Sequence, residues 1–253
     1  MKCLIGSTLL TLLLTMLVPA QSTNQAKTSE ENLPPAPTVK VEVQAGSPLK
    51  VVSWTKWVAE GKGIEVAVKV ENVSHKAVRA YATRFTIVQD RSNGGCFMFN
   101  VVKPGKVLQP TDSEVRSTWR GYPKDSTEPI LIFVDFVEFT DNSTWGIDSC
   151  ESAQRLAGVR TGGKVFAGRL LKILDDLGPA AVLKNVEAEA RELQIPQHDS
   201  PAWREGFSNG VRGILQRVLD AFQDGGLPDI EPALKRPVDA SGYQIEVVKP
   251  ENR

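Results

Sequence analysis

The chain has 253 residues, 41% of them hydrophobic, and its 30 Lys and Arg are balanced by 30 Asp and Glu. That is enough apolar material for one large domain or two small ones. The balance of charge argues against a phosphate-binding surface or attraction to an anionic membrane, so neither nucleic acid nor a lipid surface is expected as partner.

In chain order, Lys2 precedes an apolar run from Leu4 to Val18, which ends in the small-residue signature Val18-Pro19-Ala20. This is the pattern of a secretion signal at 1–20, too short and too rich in Ser and Thr for a retained span. It predicts an exported protein, periplasmic or extracellular, with no stable membrane insertion after cleavage. Cys3 lies ahead of the apolar run, where it cannot be a lipidated cysteine. In an oxidising compartment the two cysteines of the mature chain, Cys96 and Cys150, are disulfide candidates; closing that loop of about 55 residues is worth roughly 4 kcal/mol.

Residues 21–37 are polar and end in prolines, as expected of a disordered linker. From residue 38 the period is two. Val39, Val41 and Val43 alternate with polar residues, as do Ile64, Val66, Val68 and Val70. Further strands are predicted at 50–58, 78–88, 96–102, 114–119 and 130–139, separated by turn residues such as Asn72-Val73-Ser74, Asn93-Gly94-Gly95, Pro104-Gly105 and Asp141-Asn142. About seven strands over 38–147 read as an antiparallel immunoglobulin-like β-sandwich.

After Trp145-Gly146 the period becomes helical. Phe166, Leu170, Ile173 and Leu177 form one stripe that needs the other helices or the sandwich as cover; the helix is expected on or beside the sandwich, burying Phe166 and Leu170. Pro179 opens a second helix to about Leu193. Ser200-Pro201 opens a third, carrying Trp203, Phe207, Val211, Leu215, Val218 and Phe222 until Gly225-Gly226. Gly206, Gly210 and Gly213 fall on one line of that helix, which implies the close approach of another backbone. The fold class is thus α+β: the sandwich, then a three-helix segment within 148–226, then an extended tail at 227–253 with a short strand near Tyr243–Val248.

The run Val68-Lys69-Val70-Glu71-Asn72-Val73-Ser74-His75-Lys76-Ala77-Val78-Arg79-Ala80-Tyr81 resembles the strand, Asn-x-Ser turn and strand of immunoglobulin-like modules in many uncharacterised exported bacterial proteins. The resemblance implies a fold and a compartment. It brings no shared catalytic residues.

Each candidate for chemistry has a structural counterpart. Gly158 to Lys164 has the spacing of a phosphate-binding loop, but Val165 stands where magnesium needs a hydroxyl, and no parallel α/β pattern surrounds it. A break or tight packing point between helical segments is the better reading. His75 and His198 have no partner histidine at ligand spacing, so no metal site is expected. Asp135 and Glu138 are the best-placed carboxylate pair, but a spacing of three puts them on opposite faces of a regular strand unless a bulge intervenes. Asp135 is expected in a structural ion pair, with Arg84 as one candidate. Trp54, Trp57, Trp119 and Trp145 are the candidate binding residues, since indoles on a sandwich face can grip peptides or sugars; core filling is the competing role. The sequence therefore predicts a non-enzymatic exported binding or scaffolding protein with a protein or peptide partner, no cofactor and no catalytic residues. The alternative is an exported hydrolase of polysaccharides or esters using loop carboxylates.

Overall fold

The computed structural model describes residues 38–59, 63–87, 94–100, 107–120, 129–236, 238 and 244–248. Side chains are described for these except at 53–59, 63–66, 87, 94–100, 116–120 and 244–248. The expected signal at 1–20, the linker at 21–37, Asn93, the Pro104-Gly105 turn, Tyr243 and the residues after Val248 lie outside the described residues.

Alternating apolar and polar residues form strands at each of the expected places: β1 (Val39–Val41), β2 (Leu49–Ala59), β3 (Gly63–Asn72), β4 (Val78–Ile87), β5 (Gly94–Asn100), β6 (Ser113–Arg120) and β7 (Ile130–Phe139). Two short strands, β8 (Thr144–Gly146) and β9 (Gln244–Val248), join them. One sheet has the order β1-β7-β4-β5-β9, with β8 also on β7, and the other has the order β2-β3-β6. The pairs are antiparallel except β1 with β7. Val68 and Val70 of the second sheet share a core with Tyr81, Phe85, Ile132, Val134 and Val137 of the first.

Val134 and Val137 lie three residues apart yet enter the same core. The register explains this: Ala82 pairs with Phe136 and Thr83 with Val134, so Asp135 is an extra residue, a β-bulge. A second shift makes Arg79 the extra residue of β4, because Val78 pairs with Phe139 and Ala80 with Glu138. Past the bulge Val137 and Phe139 point to the core, while Phe136 and Glu138 share the outer face with Asp135. This corrects the expectation, drawn from a regular strand, that Asp135 and Glu138 lie on opposite faces.

The helices are α1 (Ser152–Leu177), α2 (Pro179–Glu192), α3 (Pro201–Gly225) and α4 (Ile230–Lys235), the last preceded by a 3-10 turn at Leu227–Asp229. The expectation of three helices and an extended tail from 227 needs correction. Ile230 and Leu234, one turn apart, bury themselves among Phe166, Leu170, Val186, Phe207 and Ile214, and this apolar cover makes a helix of the segment. Strand β9 then pairs antiparallel with β5. Asp148 holds the start of α1, accepting from the backbone N–H groups of Ser152 at 2.5 Å and Ala153 at 3.2 Å. Ser200 caps α3 by accepting from Trp203 N–H at 3.1 Å, with Pro201 in the first turn where no donor is missed.

Helix α1 runs unbroken through Gly158, Gly162 and Gly163. A Cβ on Gly158 would lie 2.1 Å from the Trp203 carbonyl oxygen, and one on Gly162 would lie 2.1 Å from that of Phe207. In return, a Cβ on Gly206 would meet the Arg155 carbonyl oxygen and one on Gly210 that of Val159, each at 2.1 Å. The partners advance in the same direction along both helices, so α1 and α3 are parallel, with backbones in contact and α2 as the return between them. Contacts of the Cα–H to carbonyl kind recur at such crossings. The spacing that resembled a phosphate loop is therefore helix-packing geometry.

Toward the sheet, Leu156 and Val159 of α1 bury against Ala80, Ala82 and Phe136. Phe166 and Leu170, expected on the sheet, lie instead in the helical core. The residue pair that seats α1 comes earlier, in a stretch whose apolar stripe is obscured by glycines. The described residues from Thr38 onward belong to one compact unit.

Two kinds of glycine in the helices give opposite expectations. Gly206→Ala should destabilise the protein by at least about 2 kcal/mol, because overpacking outweighs the gain in helix propensity. Gly168→Ala, with nothing within 4 Å of a new Cβ, should stabilise it by up to about 1 kcal/mol. Urea unfolding of the two variants checks the signs.

Candidate functional site

A cluster of charged side chains lies where α1 meets β4 and β7. Arg160, one turn past the seated Leu156, donates from NH1 to Glu138 Oε1 at 2.9 Å and from NH2 to Oε2 at 2.6 Å. The same carboxylate accepts from Arg79 NH2 at 2.5 Å, and Arg79 also donates to Asn142 Oδ1 at 2.8 Å. Both bulges make this possible, one by turning Glu138 outward and the other by bringing Arg79 beside it. The Glu138 side chain is 10% exposed, against 21% and 22% for the two arginines. Burial pushes its carboxyl group up, but hydrogen bonds from Arg160 and Arg79, with their charges, outweigh burial and hold it below the ordinary glutamate value of 4.5.

A second cluster surrounds the bulge itself. Arg84 NH1 donates to Ser149 Oγ at 2.5 Å, and Ser149 Oγ donates to Asp135 Oδ1 at 2.6 Å. Asp135 is fully buried. Its backbone carbonyl accepts from Asp148 N–H at 3.1 Å, and Gly146, at φ +115°, passes so close that a Cβ would sit 2.2 Å from that same oxygen. Arg84, the cation suggested by sequence, thus reaches Asp135 through the Ser149 hydroxyl. Cys150, the next residue, is buried and disulfide-bonded. The backbone of Cys96 lies opposite Arg84 in the β4–β5 register; its side chain lies outside the described part.

The tryptophans divide by register. Trp54 pairs with Val68, whereas Trp57 and Trp119 flank Glu65 from either side in one row across β2-β3-β6. The side chains of Trp54, Trp57 and Trp119 lie outside the described part. Trp145, opposite Val137, is partly buried against the core shared by the two sheets. His198 stacks on Trp203 with ring centres 4.3 Å apart, and its Nδ1 accepts from Ser200 N–H at 3.1 Å, which makes it part of the α3 cap. His75 is exposed. Asn72 is fully buried: its amide donates to the carbonyls of Lys76 and Leu108, and its oxygen accepts from Ser74. That is turn chemistry tying β3 to its neighbours.

Among the described residues no group of three or more His, Cys, Asp or Glu side chains is placed to hold a metal ion, and no helix is long and apolar enough to cross a membrane. Arg79, Arg160 and Ser149, which complete the two clusters, were not singled out by sequence. Their one available signal was an arginine set between Gly158 and Gly162, on a helix that had to meet two partners. No family model, curated protein or solved structure matches the chain.

Because the Glu138 carboxyl is held below its ordinary value, the stability it contributes is present above pH 4.5 and is lost as pH falls through the lower, folded value. Glu138→Gln should cost about 2 kcal/mol at neutral pH, less than a fully buried pair because both arginines keep contact with water. The gap between variant and parent should close as pH falls below the folded value. Thermal unfolding of both proteins across that range measures it.

Proposed function

We propose that this chain is an exported, non-enzymatic binding or scaffolding protein whose two sheets form an immunoglobulin-like sandwich and whose partner is a protein or peptide. Export rests on the Lys2, Leu4–Val18 and Val18-Pro19-Ala20 pattern. The immunoglobulin-like reading is supported by strand order: β2, β3 and β6 take the positions of A, B and E, while β4 and β7 take those of C and F. The place of G beside β7 is shared by β8 and the parallel β1.

The observation that carries the binding reading is the row Trp57–Glu65–Trp119. It has the parity of Lys69, of Val115, which is 60% exposed, and of the small, buried Ala67, and not that of the buried Val68 and Val70. The register sets two aromatic residues and one carboxylate in a single row, a composition that suits an extended or basic peptide. The hydrolase alternative asks for two carboxyls free to work on one bond. The strand pair Glu138 and Asp135 is engaged, by two arginines and by Ser149, which leaves that role to the loop carboxylates. On the same reading Cys150 takes Cys96 as its disulfide partner, because Cys96 lies opposite the arginine that holds Ser149 and Cys3 precedes the apolar run of the signal.

The test is capture from native envelope with the mature chain as bait, beside a Trp57→Ala, Trp119→Ala bait. A stable partner retained by the parent and lost by the variant is the expected result. Turnover of a polysaccharide or ester by the purified chain, with no partner captured, would favour the hydrolase. Peptide mapping of the unreduced bait checks the Cys96–Cys150 bridge in the same preparation.

A further inference from the structure

The end of α2, the residues after it and the middle of α3 line an open groove of about 470 Å³. Phe207 and Val211 form a buried floor. Leu193, Leu215 and Ile195, the last 47% exposed, form apolar walls. Arg191 stands on the α2 side and Arg212 on the α3 side, both exposed and neither in an ion pair with a carboxylate among the described residues. Glu187, one turn before Arg191, is the one acidic residue of the lining.

We propose that this groove docks an acidic amphipathic helix of a partner protein. The volume suits two or three large apolar side chains, as when a helix lays one stripe between two others. Two exposed guanidiniums flanking an apolar floor select carboxylates beside that stripe, since each would gain a charge-assisted hydrogen bond without breaking an ion pair among the described residues. The open walls suit a polypeptide chain better than an enclosed acyl tail. Glu187 fixes direction, because a helix inserted the wrong way round would bring a carboxylate against it. This surface is separate from the tryptophan row and extends the binding reading to the helical half.

The probe is a pair of fluorescein-labelled designed helical peptides with the same leucine stripe, one flanked by glutamates and the other by lysines. Fluorescence polarisation with the mature chain should find the glutamate peptide at least about tenfold tighter. Arg191→Glu with Arg212→Glu, two exposed positions whose change should leave the circular dichroism spectrum intact, should reverse the preference. Equal affinity for both peptides, no binding of either, or a preference that survives the double substitution would overturn the proposal. Sedimentation of the chain alone supplies the remaining arm. A dimer that dissociates on the double substitution would make a second copy the occupant and would also overturn it. Envelope capture with the double variant separates the two readings: a partner still captured through Trp57 and Trp119 leaves the binding reading standing whatever the groove does.

Discussion

The first three turns of α1 must satisfy two neighbours at once, and the rest of the structure depends on their doing so. One side presents Leu156 and Val159 to Ala80, Ala82 and Phe136 on the sheet. Another presents bare glycine backbone to α3. A helix of ordinary diameter could not approach both, so the sheet contributes alanines and the helices contribute Gly158, Gly162, Gly206 and Gly210. Such a helix has low intrinsic propensity, and its stability comes from its neighbours. Arg160 then closes the junction electrostatically by reaching back to Glu138.

The same junction gives the buried charges of β7 a structural role. Glu138 and Asp135 lie on one face of β7 because of the bulge, the kind of proximity from which paired-carboxylate chemistry is built. Each is nonetheless committed to positioning the helical half. Glu138 receives α1 through Arg160, while Asp135 receives the 146–149 connection through its carbonyl and the Ser149 hydroxyl. The recognition surfaces proposed above lie away from the junction, on the row across β2-β3-β6 and in the α2–α3 groove.

Much of the fold was legible in the sequence because period and turn chemistry are local. Val39 to Phe139 supplied strands at the right places, and Pro179, Ser200-Pro201 and Gly225-Gly226 marked helix ends. The bulges were not legible. Nothing in Ile130–Phe139 says that Asp135 is the extra residue, and without that shift every face assignment beyond it inverts. The start of α1 was obscured because Gly158-Val159-Arg160-Thr161-Gly162-Gly163 breaks the apolar stripe, and only the backbone of α3 explains why a helix tolerates it. The line of Gly206 and Gly210 was read correctly as backbone approach, but its partner could not be named from one helix alone. Helix α4 was missed because Ile230 and Leu234 are too few to make a pattern until Phe166 and Phe207 cover them. Of the candidate binding residues, Trp57 and Trp119 share a row that depends on register across three strands, which no single strand encodes.

The central claim is that the helical half is held in its native form by the sheet. Residues 151–253 should be expressed apart from residues 38–150, and the thermal unfolding of the helical fragment compared with that of residues 38–253. Losing the cover over Leu156 and Val159 and the partner of Arg160 removes at least about 4 kcal/mol. The fragment should therefore melt more than about 10 °C lower, or not fold. A fragment that is fully helical and melts cooperatively at the temperature of residues 38–253 would contradict the account.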